Sequence, residues 1–141
     1  MSQQIDPRGP RFGAAITTVV LAVSLLAVPS ALATTLITIQ TVVFAIGAFI
    51  GLPAQPYGKL FAKFIRPRLA PPAELEDVAP PQFAQLVGFG FAVVAWLALL
   101  GGSAAVAQIA IGFALVAAFL NAAFGFCLGC EMYLIGKRIF S

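Results

Sequence analysis

Four stretches without a single charged side chain constrain this chain more than anything else in it: residues 12–28, 32–51, 83–100 and 104–130. Each is close to or above the roughly 20 apolar residues that a helix needs to cross a bilayer. Lipid offers no hydrogen-bond partners, so a segment of this kind must satisfy its own backbone, and a helix does so. Charged residues make up only 9% of the chain against 61% apolar ones. A soluble domain carries about a quarter charged side chains, so this chain cannot cover itself with a water-compatible surface. The expected fold class is an all-α integral membrane protein, with four transmembrane helices arranged as two hairpins and a short amphipathic interfacial helix between them. At 141 residues this is one membrane domain. Its expected parts are an N-terminus at 1–11, a first hairpin at 12–51, a loop at 52–82, a second hairpin at 83–130 and a tail at 131–141.

Orientation is read from the basic residues. All eight Lys and Arg fall in the N-terminus, the 52–82 loop and the tail, while the turns at Pro29-Ser30 and Gly101-Gly102 carry none. By the positive-inside rule both termini and the loop are cytoplasmic, and the protein resides in the plasma membrane. Arg8 and Arg11, the apolar run and Ala31-Leu32-Ala33 also resemble a secretory signal peptide with its small-residue cleavage site. The run is longer than the usual apolar core of such a peptide and a second span follows at once, which favours the hairpin.

Seven of the ten prolines lie in the 52–82 loop. Within it, Tyr57, Leu60, Phe61, Phe64 and Ile65 follow the spacing of one helical face. The pattern predicts an amphipathic helix over 57–66, with Lys59, Lys63 and Arg66 meeting the lipid headgroups of the membrane surface. Packing on the rim of the bundle explains the same face. Glu74, Glu76 and Asp77 read as a solvated linker, because no calcium-loop pattern frames them. A faint repeat sets Pro10-Arg11-Phe12 against Pro81-Gln82-Phe83. It also sets Gly47 and Gly51 against Gly125 and Gly129, 78 positions on. Two hairpins of one orientation would then pack as a parallel repeat, with glycine seams on the even-numbered helices.

The chemistry is confined to Cys127 and Cys130, since the chain has no other cysteine and no histidine. If span four continues through them, they lie one turn apart on one face, with Cα atoms about 5 Å apart and within disulfide range. A cytoplasmic position disfavours a permanent disulfide. Two thiols supply half the ligands of a structural zinc, so no metal or other cofactor is expected unless a dimer or Glu131 completes the set. A helix C-terminus and the neighbouring Glu131 both oppose a thiolate. A break at Gly129 would place Cys130 at the start of a second helix, and Lys137 and Arg138 would add positive potential. Plain packing of two small polarizable side chains is the bland alternative. Gln40, Gln108 and Asn121 read as interhelical hydrogen-bonding groups, with Asn121 about 120° round the helix from Cys127. The absence of charge within the spans argues against an ion or proton pathway, and four short spans leave little room for a central cavity.

Asp6-Pro7-Arg8, the Pro67-to-Pro72 stretch leading to Glu74-Leu75-Glu76-Asp77, and above all Phe126-Cys127-Leu128-Gly129-Cys130-Glu131-Met132-Tyr133 resemble a family of small bacterial membrane proteins. That family is domain of unknown function 4395, and its actinobacterial members are the more similar. Its members are often encoded near thioredoxin-like or sulfurtransferase proteins, so the resemblance implies thiol or sulfur handling. The expected function is therefore a thiol-disulfide or sulfur-transfer component. Cys127 and Cys130 would be its nucleophile and resolving thiol, in an order left open, and its partner a cytosolic thioredoxin-like or rhodanese-like protein. The rival is a non-catalytic membrane scaffold or subunit of a larger complex. Turnover of its own and homo-oligomerisation are left open, and no nucleic-acid partner is expected.

Overall fold

The computed structural model describes residues 4–6, 8–70, 75–77 and 79–140. Pro7 and the 71–74 part of the expected linker, Glu74 included, lie outside the described residues. Six helices carry the fold: α1 (Arg8–Ala27), α2 (Ala31–Ala45), α3 (Pro56–Leu60), α4 (Ala79–Leu100), α5 (Ala104–Phe124) and α6 (Leu128–Phe140). A π-helical turn extends α2 to Ile50, and another at Phe61–Ile65 extends α3 into a 3₁₀ turn at Arg66–Arg68. The helices α1, α2 with its extension, α4 and α5 are long and apolar enough to cross a membrane. A two-residue antiparallel ladder pairs β1 (Gln4–Ile5) with β2 (Glu76–Asp77).

Two of the spans start before their apolar runs, and local chemistry explains both. Asp6 accepts a hydrogen bond from the Arg8 backbone N–H at 3.0 Å, which satisfies a donor of the first turn of α1. In α4, Pro80 and Pro81 occupy the first turn, where their missing N–H groups cost nothing. The expected 52–82 loop is shortened accordingly. Hydroxyls inside the spans are kept satisfied along their own helices. Thr18, Ser24, Thr35, Thr38 and Thr41 each donate to the carbonyl four residues earlier.

The four spans form a ring in which α1 packs on α2 and α5, and α4 packs on α2 and α5. Leu21, Ile37, Ala95, Ala110, Ile111 and Ala114 make the buried core. Small residues set the helix spacing, as expected in lipid, but they are alanines: Ala92, Ala95 and Ala98 on α4, and Ala107, Ala110 and Ala114 on α5. The expected glycine seams are not there. Gly51 (φ 139°) and Gly125 (φ 69°) end their helices in conformations that favour glycine, so neither sits on a helix face. Outward-facing Leu26, Ile50, Ile109 and Phe113 are each more than half exposed, as a lipid-facing surface requires.

Both amphipathic helices lie at the end of the bundle opposite the two hairpin turns. The helix α3 covers the start of α1, with Phe61 buried against Phe12 at 5.8 Å between ring centroids. Lys59, Lys63 and Arg66 are exposed beside Leu60 and Phe64, which also face outward. Only part of the expected apolar face is therefore tucked in, because the π turn rotates Phe64 away from Phe61. In the same way α6 covers the start of α4, with Phe83 and Tyr133 at 5.7 Å.

Polar side chains fasten this end. Tyr57 donates to Gln40 at 2.8 Å, and Gln40 donates to Thr17 at 3.5 Å, so Gln40 is the interhelical link its type suggests. Burial pushes the Tyr57 phenol up from its usual range, which keeps it protonated and donating. Gln55 bridges the Val43 carbonyl, at 3.1 Å, and the Gln85 side chain. Gly47 leaves them room, since a Cβ there would stand 2.6 Å from the Gln55 amide nitrogen. Trp96 staples α4 to α2 by donating to the Thr38 hydroxyl at 2.9 Å. Gln108 faces outward.

Candidate functional site

Span four does not reach the cysteines. It ends at Phe124, where Gly125 takes a left-handed conformation and its N–H bonds back to the Asn121 carbonyl at 3.0 Å. The Phe126 N–H bonds to the Leu120 carbonyl at 3.2 Å. These two bonds close the helix as a glycine C-cap does. The chain then re-enters a helix at Leu128, so the second hairpin, expected to run to residue 130, stops short. The break falls at Gly125 and not at Gly129. Gly129 has another duty: a Cβ on it would lie 2.5 Å from the Ala84 Cβ and 2.6 Å from its Cα. Only glycine lets α6 cross α4 this closely.

This places the Cys-x-x-C at a helix N-terminus. Cys127 precedes the first turn of α6, and its carbonyl accepts the Glu131 N–H at 3.0 Å. Its Sγ accepts the Cys130 backbone N–H at 3.1 Å, the role a serine oxygen plays in an N-cap. The two sulfurs are joined as a disulfide, with the Cα atoms 5.1 Å apart. Both residues are half-buried. When such a bond opens, the positive end of the helix dipole and the N–H donor both favour charge on the Cys127 sulfur. The objection that the pair ends a helix is thereby removed.

Two spaces meet at Cys127. One is a polar mouth of about 270 Å³ whose lining includes Arg8, Arg11, Asn121, Cys127 and Cys130. The other is an apolar cavity of about 220 Å³ inside the bundle, walled by faces of α1, α4, α5 and α6 and by Phe44 of α2, which Cys127 lines and Cys130 does not. The expectation of little interior room was wrong, because alanine and glycine line much of this wall. Asn121 lines both spaces. The turn at Gly125 swings Cys127 back beside it, cancelling the 120° offset of a continuous helix.

The positive charge at the mouth comes from the other end of the sequence. Arg11 donates from Nη2 to the Ala122 and Ala123 carbonyls at 3.2 and 3.4 Å, neutralising the last turn of α5 beside the cysteines. Lys137 and Arg138 instead occupy the last turn of α6, away from the pair. Sequence reading missed Arg11 because nothing local links residue 11 to residue 122; the repeat held a clue. Gln82, its counterpart at the start of α4, donates to the Ala48 carbonyl at the end of α2 at 3.1 Å. Among the described residues no cluster of three or more His, Cys, Asp or Glu is grouped to hold a metal.

Fold and site together define a four-span α-helical membrane protein with a Cys-x-x-C disulfide at the N-terminus of an amphipathic helix. The sequence signature of the family called domain of unknown function (DUF4395) matches residues 5–138, and the chain belongs to that family. No curated protein and no solved structure matches it.

Proposed function

We propose that the protein is a membrane-embedded thiol–disulfide exchange component whose working group is the Cys127–Cys130 disulfide. Its partner is a thioredoxin-like protein carrying a reduced thiol pair. The observation that carries this reading is the placement of Cys127 as the cap of α6, with its sulfur held by the Cys130 N–H at 3.1 Å. The better leaving group in an exchange is the sulfur that best bears negative charge, which here is Cys127. The partner's thiolate attacks Cys130 Sγ, the sulfur on the mouth alone. The Cys127–Cys130 bond breaks with its electron pair on Cys127, and a mixed disulfide forms on Cys130. The partner's second thiol then displaces Cys130. The partner leaves oxidised, and the membrane protein keeps two thiols.

The bundle end that carries the site also carries every lysine and arginine, which favours a cytoplasmic partner by the positive-inside rule. Lys59 and Lys63, exposed beside outward apolar side chains, would hold that end against anionic headgroups.

The test is exchange between purified components. Reduced thioredoxin mixed with the oxidised protein should lose one thiol pair for each Cys127–Cys130 disulfide opened. A thioredoxin whose second cysteine is replaced by serine, mixed with the oxidised protein and quenched in acid, should be trapped as a mixed disulfide on Cys130 with Cys127 left as a thiol, and far less on Cys127. An oxidised protein that leaves thioredoxin untouched and forms no adduct with its single-cysteine form would leave the scaffold as the better account. A persulfide on either cysteine, found by intact mass with thiosulfate as sulfur source, would redirect the reading to sulfur transfer.

A further inference from the structure

Resting on that reading, we propose that the apolar cavity behind Cys127 binds the ring of a membrane quinone, which takes two electrons from the reduced pair and restores the disulfide. The exchange described above leaves two thiols in the bilayer, and a component that turns over must return them to a disulfide. The cavity is built where such an acceptor would be needed. Its inner end reaches Cys127, the sulfur on which exchange leaves the charge.

Three positions of the cavity wall are small where their counterparts in the other half of the molecule are large. When Gly51 is aligned with Gly125, the two glycines that end the second helix of each hairpin, Gln40, Phe44 and Gln55 correspond to Ala114, Ala118 and Gly129. In the first half those side chains are buried and fill the bundle. In the second half all three small counterparts line the cavity. The same register sets Pro53 and Pro56 opposite Cys127 and Cys130. The three small residues and both thiols thus fall in the same half.

The cavity suits a ring with a lipid tail. Phe91 and Phe113 line it and are 36% and 62% exposed, their rings 6.0 Å apart. Each stands near the middle of its span, so the entrance between α4 and α5 faces the acyl chains and not the headgroups. From Phe113 to Asn121 is eight residues, or about 12 Å of helix, which separates the entrance from the cysteine end. Cavities of about 150 Å³ hold a benzene ring, so about 220 Å³ accommodates a substituted one- or two-ring quinone with its isoprenoid chain left in lipid. No charged side chain lines it. The polar groups toward its inner end are the amides of Gln85 and Asn121. Gln55 already occupies the Gln85 carbonyl, so Gln85 has its NH₂ to offer. Amide N–H donors complement quinone carbonyl oxygens and give a charged headgroup nothing to pair with.

The chemistry balances. Both cysteine S–H bonds break, one sulfur–sulfur bond forms, and the two electrons and two protons released convert the two quinone carbonyls to hydroquinone hydroxyls. Full-length protein would be reduced, desalted and mixed without oxygen with decylubiquinone, whose fully substituted ring leaves no position for thiol addition. Absorbance follows the quinone, and alkylation follows the cysteine pair. One quinone should be consumed per disulfide formed, on the order of tenfold or more faster than by the unfolded chain. Ala117→Trp, which fills the cavity, should remove most of that advantage. Val19→Trp, at a lipid-facing position outside it, should not. Photolabelling with an azidoquinone, which needs no variant, should mark peptides covering 84–91 or 113–121 and be competed by decylubiquinone. Equal rates for folded and unfolded chains, or label spread without competition, would overturn the proposal. If thioredoxin exchange persists in those cases, the quinone site falls and the exchange function stands. A pair inert to thioredoxin as well takes both down.

Discussion

Asp6 is 5% exposed, and its carboxylate is held by Arg8, which contributes its backbone N–H at 3.0 Å, Nε at 3.0 and 3.2 Å, and Nη2 at 2.8 Å. The same guanidinium donates to the Ala70 carbonyl at 3.0 Å, and Arg66 Nε stands 3.8 Å from the Asp6 carboxylate. One carboxylate thus ties the N-terminus to the far end of the long loop, which gives the Asp6-Pro7-Arg8 motif a structural reason. The Arg8 hydrogen bond outweighs burial and holds the Asp6 carboxyl below its ordinary value of 3.8. A depressed folded-state value means that the clasp contributes fully above the unfolded value and is lost as pH falls through the folded one. Thermal unfolding in detergent should therefore show the wild type losing stability as the pH drops below about 4. Asp6→Asn should begin lower at neutral pH and change less across that window. Identical profiles for the two proteins would mean that the clasp carries no stability. The opposite charges were visible in the sequence. The grip of Arg8 on Ala70 was not, because it depends on where the loop returns.

At the scale of elements, the decisive feature is the break between α5 and α6. Four spans were legible because lipid imposes a length and an apolar composition on each. The end of span four was not, because residues 104–130 carry no charge and composition cannot separate one long helix from two. The signal was Gly125 itself, which was assigned to a helix seam. The alanine spacing on α4 and α5 was likewise readable but lost among so many alanines. The cavity lay beyond sequence reading because it arises from what four helices together fail to fill. The break has a measurable consequence. A left-handed backbone costs a residue with a Cβ about 1–2 kcal/mol, and asparagine tolerates it better than most. Gly125→Ala should lower stability by roughly that amount and Gly125→Asn by less, read as unfolding midpoints in the same detergent. Because Gly125 positions Cys127, Gly125→Ala should also slow thioredoxin exchange more than Gly125→Asn does. Two variants that both match the wild type would show that the turn at Gly125 is dispensable for setting the cysteines.

For the whole molecule, the ring of spans relates two hairpins by a pseudo-two-fold axis along the bundle. Arg11 and Gln82 each cap the span ending beside them, and each hairpin is followed by an amphipathic helix that covers the start of its own first span. The two hairpin turns therefore lie at one end. The N-terminus, the loop and α6 lie at the other, with all eight lysines and arginines in segments at that end. Such a distribution predicts a cytoplasmic N-terminus, loop and α6, because cytoplasmic loops retain Lys and Arg. In a protein whose own two cysteines are changed to serine, Ser30→Cys and Ser103→Cys place single thiols at the hairpin turns, and Lys59→Cys places one at the opposite end. A membrane-impermeant maleimide added to intact cells should label the first two. It should reach Lys59→Cys only after the membrane is opened. The reverse pattern would put the disulfide on the outer face, where an oxidising compartment would maintain it without help. The partner would then be extracytoplasmic, whereas a quinone reached from the middle of the bilayer would serve either orientation.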